Sequence, residues 1–196
     1  MSIIIPYINI HTHNRGENEI SISSVGIHPL LAESGIKLNR ESITSDTQSI
    51  GEIGLDFSRP IDRQLQERLF CEQLHIAEEL KLPVVLHSVR AVDRTLEILK
   101  QFKLQTAIFH GFIGSEQQAS NAIRQGYYLS FGHRCFASPK SLIALRNSPL
   151  KSIFLETDEH NITIQEIYRL AAAERSESLE EIKKQIYINY KIIFNK

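Results

Sequence analysis

An α/β fold is predicted, on three observations. Short apolar, β-branched runs alternate with longer segments of helical period, the pattern of strands covered by helices. The 196 residues suffice to bury one sizeable core, and no linker-like or low-complexity stretch interrupts them, so one domain over residues 1–196 is expected. Polar residues able to do chemistry recur where the apolar runs end.

Taken in order, the first expected strand is Ile3–Ile10, running into NIHTHN with His11 and His13 two residues apart. The second, Ile20–Ile27, stops at His28, and the third, Ser49–Leu55, carries Glu52 within GEIGLD. A helix over Arg63–Leu80 leads to a strand Pro83–His87, and a helix over Ala91–Phe102 leads to a strand Thr106–His110. Ser115 is a suitable N-cap for a helix Glu116–Gln125, which precedes a strand Tyr127–Phe131. Ser138-Pro139 suits the first turn of a helix over Lys140–Arg146. The last strand, Ser152–Glu156, brings the chain to Asp158. Helices Ile164–Glu174 and Leu179–Phe194 follow, the second introduced by Ser178 and an acidic first turn.

Composition narrows the function classes. With 42% hydrophobic and 23% charged residues the chain is of ordinary globular type. Its 22 basic residues lie among 23 acidic ones, for a net charge of -1, so no strong basic surface for long nucleic acid is expected. A short or end-bound polyanion remains compatible with this balance. Cys71 and Cys135 form no CxxC pair, which argues against a disulfide framework or a thiolate zinc site. No leader-like or membrane-spanning stretch is read, and a cytoplasmic monomer without membrane partners is expected.

The strand ends carry the functional signal. In a parallel (β/α) barrel the C-terminal ends of the strands converge on one rim, where active sites are assembled from several strands. His11 and His13, two apart on a strand, project to the same face and suit one metal ion. Glu52 and Asp158 offer carboxylates, and a carboxylate between two ions suits a two-metal hydrolytic site. Singly, each has an ordinary reading: histidines are common in turns, and a strand-end carboxylate often serves a helix terminus. The coincidence of imidazoles and carboxylates at successive strand ends gives the pattern its weight. His133 and Arg134, after a strand, either face the pocket or sit on a solvated loop.

The segments NIHTH, VGIHP, SIGEIGLDF, LPVVLHS, IFHGFIGS and FLETD, in this order between Ile3 and Asp158, resemble the TatD family of metal-dependent hydrolases, a branch of the amidohydrolase-like TIM barrels. The terminal IYINYKIIF resembles the family's last helix. The resemblance implies a TIM-type barrel with two divalent ions: zinc, magnesium, manganese or nickel. It implies that His11, His13 and Asp158 hold one ion, that His87 and His110 hold the other, and that Glu52 bridges them. Asp158 then orients or deprotonates the attacking water, and His28 contacts phosphate or water. The implied activity is hydrolysis of DNA phosphodiester bonds with release of nucleotides from an end, on short DNA ends or small phosphodiesters. Arg90 and Arg134 are the expected substrate contacts. Two other readings stay open: an amidohydrolase-like enzyme acting on a non-nucleic-acid ester or amide, and a degenerate metal-binding scaffold.

The chain departs from the family pattern in four places. Asn9 stands where the family usually has Asp, so a carboxylate behind the site is lost or replaced. In HSVRA, Val89 takes the usual Arg position and Arg90 the usual Asp position, which changes the substrate contacts. ETDEHN lacks the common Pro and leaves Glu159 and His160 unexplained. Finally, only six residues separate His13 from Ile20, fewer than the ten to twelve of a normal parallel crossover. A deleted βαβ increment follows, with an incomplete or compressed barrel of about seven strands, a taut or only partly parallel segment Asn14–Glu19, and a missing substrate wall.

Overall fold

A computed structural model of the protein describes residues 5–14 and 16–194; Ile3 and Ile4 of the expected first strand lie outside them. In chain order the elements are β1 Tyr7–Asn9, β2 Glu19–Ser21, β3 Ser24–Val25, β4 Ser49–Asp56, α1 Arg63–Leu80, β5 Val84–Val89, α2 Val92–Leu99 and β6 Ala107–Phe109. They continue with α3 Glu116–Arg124, β7 Tyr128–Phe131, α4 His133–Phe136, α5 Pro139–Asn147, β8 Ile153–Leu155, α6 Ile164–Arg175 and α7 Leu179–Phe194. The chain gathers into two compact units, one from residues 23–109 and one from the described residues of 1–22 and 110–196.

In the unit of residues 23–109, β3, β4, β5 and β6 pair in that order, all parallel. Val84, Val85 and Leu86 are fully buried, as are Ile50, Ile53 and Leu55, the near-continuous apolar run of strands covered on both faces. α1 packs on β4 and contributes Phe70, Leu74 and Ala77 to the core. Asp62 caps α1 by accepting from the Leu65 amide. Gly54 has φ +140°, and a Cβ there would lie 2.1 Å from the His87 carbonyl oxygen, so only glycine lets β4 approach β5 at this point.

In the other unit, β1 pairs with β2 and β7 with β8, both parallel. Ile10 donates to Leu155, and Thr12 bridges Asp158 in the parallel sense, which ties β1 to β8. α6 and α7 cover β1. The buried Tyr168 hydroxyl accepts from the Ile8 amide and donates to the Ile8 carbonyl, while Asn189 of α7 donates to the carbonyls of Leu150 and Ile153. The residue types of the last helix are thereby explained: its buried Asn satisfies backbone oxygens around the start of β8. Ser115 and Gln118 form a reciprocal capping box on α3, and Ser178 and Glu181 do the same for α7.

Two expectations are corrected. The single expected strand Ile20–Ile27 is two, so the described residues hold eight strands rather than about seven. The break comes at Ser23, whose amide donates to the Gln48 side chain and whose carbonyl accepts from Gln48 and Ser49. The strands flanking the segment Asn14–Glu19 are not partly but fully parallel. Asn18, with φ 61°, turns the chain so that Tyr7, Ile8 and Asn9 lie in parallel register with Glu19, Ile20 and Ser21. His133 and Arg134 lie on a short helix, α4, for which the sequence carries no helical signal. No described helix is long and apolar enough to cross a membrane.

Candidate metal centre

The unit of residues 23–109 supplies one cluster. Glu52 sits where the β4–β5 register shifts between Ile50 and Ile53, an irregularity of the kind that re-aims a side chain. His87 Nδ1 lies 2.6 Å from Glu52 Oε1, and its Nε2 lies 3.1 Å from Asp56 Oδ2. Burial raises the Asp56 carboxyl, but hydrogen bonds from the Ser58 hydroxyl and amide and from His87 outweigh it and hold Asp56 below the usual carboxylate range. The ionised Asp56 therefore takes the His87 Nε2–H, and the Nδ1 lone pair is left facing the Glu52 carboxylate. Two such acceptors converging need a cation or a proton between them, and a carboxylate–imidazole–metal arrangement has this form.

His28 completes the cluster, with Nε2 3.4 Å from Glu52 Oε1 and 3.2 Å from His87 Nδ1. Its Nδ1 accepts from the Leu30 amide at 3.2 Å as the cap of the turn Pro29–Ser34. A neutral His28 then carries its proton on Nε2 and is a donor toward the site rather than a ligand. Arg90 follows β5, exposed, with a left-handed backbone of φ 54°.

The second cluster belongs to the other unit. His11 Nε2 and His13 Nε2 stand 3.6 and 3.5 Å from Asp158 Oδ1, and a ligand atom from each of the three lies within 4.8 Å of the others. His13 donates its amide to the Asp158 carbonyl, and Asp158 donates to the His11 carbonyl, so the backbone holds the two segments in register. His110 Nδ1 lies 3.4 Å from Glu156 Oε1, which also accepts from the Gly111 amide at 2.6 Å. His110, Glu156 and Asp158 form a further set of converging ligand atoms. Burial raises the Glu156 carboxyl, but hydrogen bonding and charge from His110, with charge from His11, hold it below its usual range. Its Oε2 is buried with no hydrogen-bond partner, an arrangement that a cation would satisfy. Arg134 lines a small pocket with Glu156, Asp158, His133 and His160.

Each expected ligand thus falls within one of these clusters, with His87 and His110 in different units. The sequence reading missed two residues. Glu156 stands two before Asp158, the same spacing that singled out His11 and His13, and that rule would have found it. Asp56 meets His87 across 31 residues of sequence, and no local signal announces such a pairing.

Parallel strands ending in imidazole and carboxylate clusters are the arrangement of a metal-dependent hydrolase. The chain belongs to the TatD-related DNase family, whose family model matches residues 9–195. It is 28% identical over 197 residues to the uncharacterized metal-dependent hydrolase YjjV of Escherichia coli K12, covering 88% of this chain and 76% of that one. The crystal structure of YjjV superposes with a TM-score of 0.75 over 93% of this chain and 79% of that chain. The 3'-5' ssDNA/RNA exonuclease TatD of Cronobacter sakazakii is 33% identical over 84% of this chain and 67% of its own length. Deoxyribonuclease TATDN3 of Homo sapiens is 32% identical over 56% of this chain and 42% of its own. The chain spans from under half to about three quarters of the length of these relatives.

Proposed function

We propose that the protein is a divalent-metal-dependent phosphodiesterase of the deoxyribonuclease type, a single monomeric cytoplasmic domain that releases nucleotides from short DNA ends. The observation that carries this is the pair of imidazole–carboxylate clusters at the ends of parallel strands, with the unpaired buried oxygen of Glu156 in one and the facing Glu52 and His87 acceptors in the other. His11, His13 and Asp158 would hold one ion, with Glu156 and His110 beside them. His87 and Glu52 would hold the other. Two such ions lower the pKa of a bound water and polarise a phosphoryl group.

The residues divide the remaining work. Asp158 accepts a hydrogen bond from the attacking water and takes its proton. Asp56 fixes the His87 ring by accepting at Nε2. His28, a donor at Nε2, contacts a phosphate oxygen, and Arg134 offers charge beside Asp158. Metal analysis of natively purified protein, with hydrolysis of an aryl phosphodiester and a short single-stranded oligonucleotide, tests the proposal. About two ions per chain with turnover are expected. Less than one ion and no turnover would leave a scaffold, and turnover confined to carboxylic esters or amides would move the substrate class.

A further inference from the structure

Asn9 is completely buried, yet it is no ligand. Its amide nitrogen donates to Glu19 Oε1 at 3.0 Å and to Thr157 Oγ1 at 2.9 Å, and its carbonyl oxygen accepts from the Thr157 amide at 3.0 Å. The Thr157 hydroxyl, already accepting from Asn9, donates onward to Thr12 Oγ1 at 2.9 Å. Thr12 lies between His11 and His13, and Thr157 lies between Glu156 and Asp158. The network therefore clasps the two ligand-bearing segments by their intervening residues.

Its direction is set by Glu19. That carboxylate, on β2, accepts from Asn9 and from the Gly16 amide at 3.0 Å. A flipped Asn9 would turn its carbonyl oxygen against the carboxylate and withdraw its acceptor from the Thr157 amide. We propose that Glu19 is a positioning residue: by fixing the orientation of the Asn9 amide it sets, through Thr157 and Thr12, the placement of His11 and His13 against Asp158. A carboxylate thus stands behind the ligands one side chain further away, on a strand that carries no ligand, at the edge of a cleft of about 510 Å³. The inference rests on the His11–His13–Asp158 cluster being a metal site.

The logic of donors and acceptors supplies the test. Glu19→Ala removes the acceptor, and Asn9→Asp sets two carboxylates against each other. In the double variant Asn9→Asp with Glu19→Gln, the new amide donates to the new carboxylate, which still accepts from the Thr157 amide and now from its hydroxyl, while the Thr12 hydroxyl turns to donate to Thr157 Oγ1, so the relay is kept in the reversed sense. Cobalt(II) binding is followed by calorimetry and by its visible absorption, beside the melting temperature of the metal-free protein and the ¹⁵N shifts of its histidine rings. Each single variant should weaken cobalt binding by about 10–100-fold, as loss of an outer partner of a ligand does, and should move the His11 and His13 ring shifts. The double variant should return the affinity to within about threefold of the parent, a coupling that two independent packing defects do not produce. Parent-like cobalt binding and ring shifts in Glu19→Ala, or a double variant no better than Asn9→Asp with all melting temperatures alike, would overturn the proposal. Failure of the parent itself to bind cobalt would instead overturn the metal-site reading, while the ring shifts still report on Glu19.

Discussion

Glu52 Oε1 stands 2.6 Å from Nδ1 of a histidine ring that Asp56 holds from its far side, so its removal takes away the carboxylate that faces His87 Nδ1. Glu52→Ala should lower phosphodiester turnover by more than about 100-fold, the upper end of what loss of a mere outer partner causes. Steady-state kinetics at saturating metal checks this, and retained turnover would remove Glu52 from the site. Residues of this kind were legible because their chemistry repeats at strand ends. His11 and His13 stand out by their spacing, and the other strand-end residues give that spacing its weight. Glu19 was not legible: its link to Asn9 depends on the parallel register of β1 and β2, which no residue pattern in the connecting segment reveals.

At the scale of elements, helices were easier to place than strands. α1 and α7 occupy the expected spans because eighteen and sixteen residues of helical period leave little latitude. The run from Ile20 to Ile27 carried one apolar pattern but serves two partners, β1 through Glu19–Ser21 and β4 through Ser24–Val25. Periodicity reports burial, not the identity of the neighbour, so the division was invisible. Tyr168 of α6 holds both backbone groups of Ile8 in β1. Tyr168→Phe should leave both buried without that partner and cost about 1–3 kcal/mol, read as a lower urea midpoint at unchanged slope. In the unit of residues 23–109, Arg94 of α2 grips Glu67 of α1 through two hydrogen bonds of 2.7 and 2.6 Å. The Arg94 hydrogen bonds hold the Glu67 carboxyl below its ordinary 4.5. A depressed carboxyl stabilises above its ordinary value and loses that contribution as pH falls through its folded value. Glu67→Gln should therefore lower the urea midpoint slightly at pH 7, less so in high salt, with the difference closing below pH 4.5.

For the molecule as a whole, a net charge of -1 sets how a nucleic-acid substrate is met. Proteins that neutralise six to ten phosphates lose about 10³–10⁵ in affinity between 50 and 200 mM salt. Here the KM for a short single strand should rise less than about tenfold over that range, if, as proposed, only a chain end and few phosphates are engaged. A steeper slope in a salt series would point to an extended basic track.

The division into units bears on the order in which the protein is made. Residues 23–109 are contiguous and leave the ribosome together, whereas the other unit joins the first 22 residues to those from 110 onward. Since synthesis proceeds at about 5–20 residues per second from N- to C-terminus, β1 emerges before β8, α6 and α7 and waits for them before it is covered. His11 and His13 likewise exist for more than a hundred residues of synthesis before Asp158 arrives to complete their cluster. This cluster is therefore completed only once Asp158 has been made, and until then the nascent chain carries an incomplete set of its ligands.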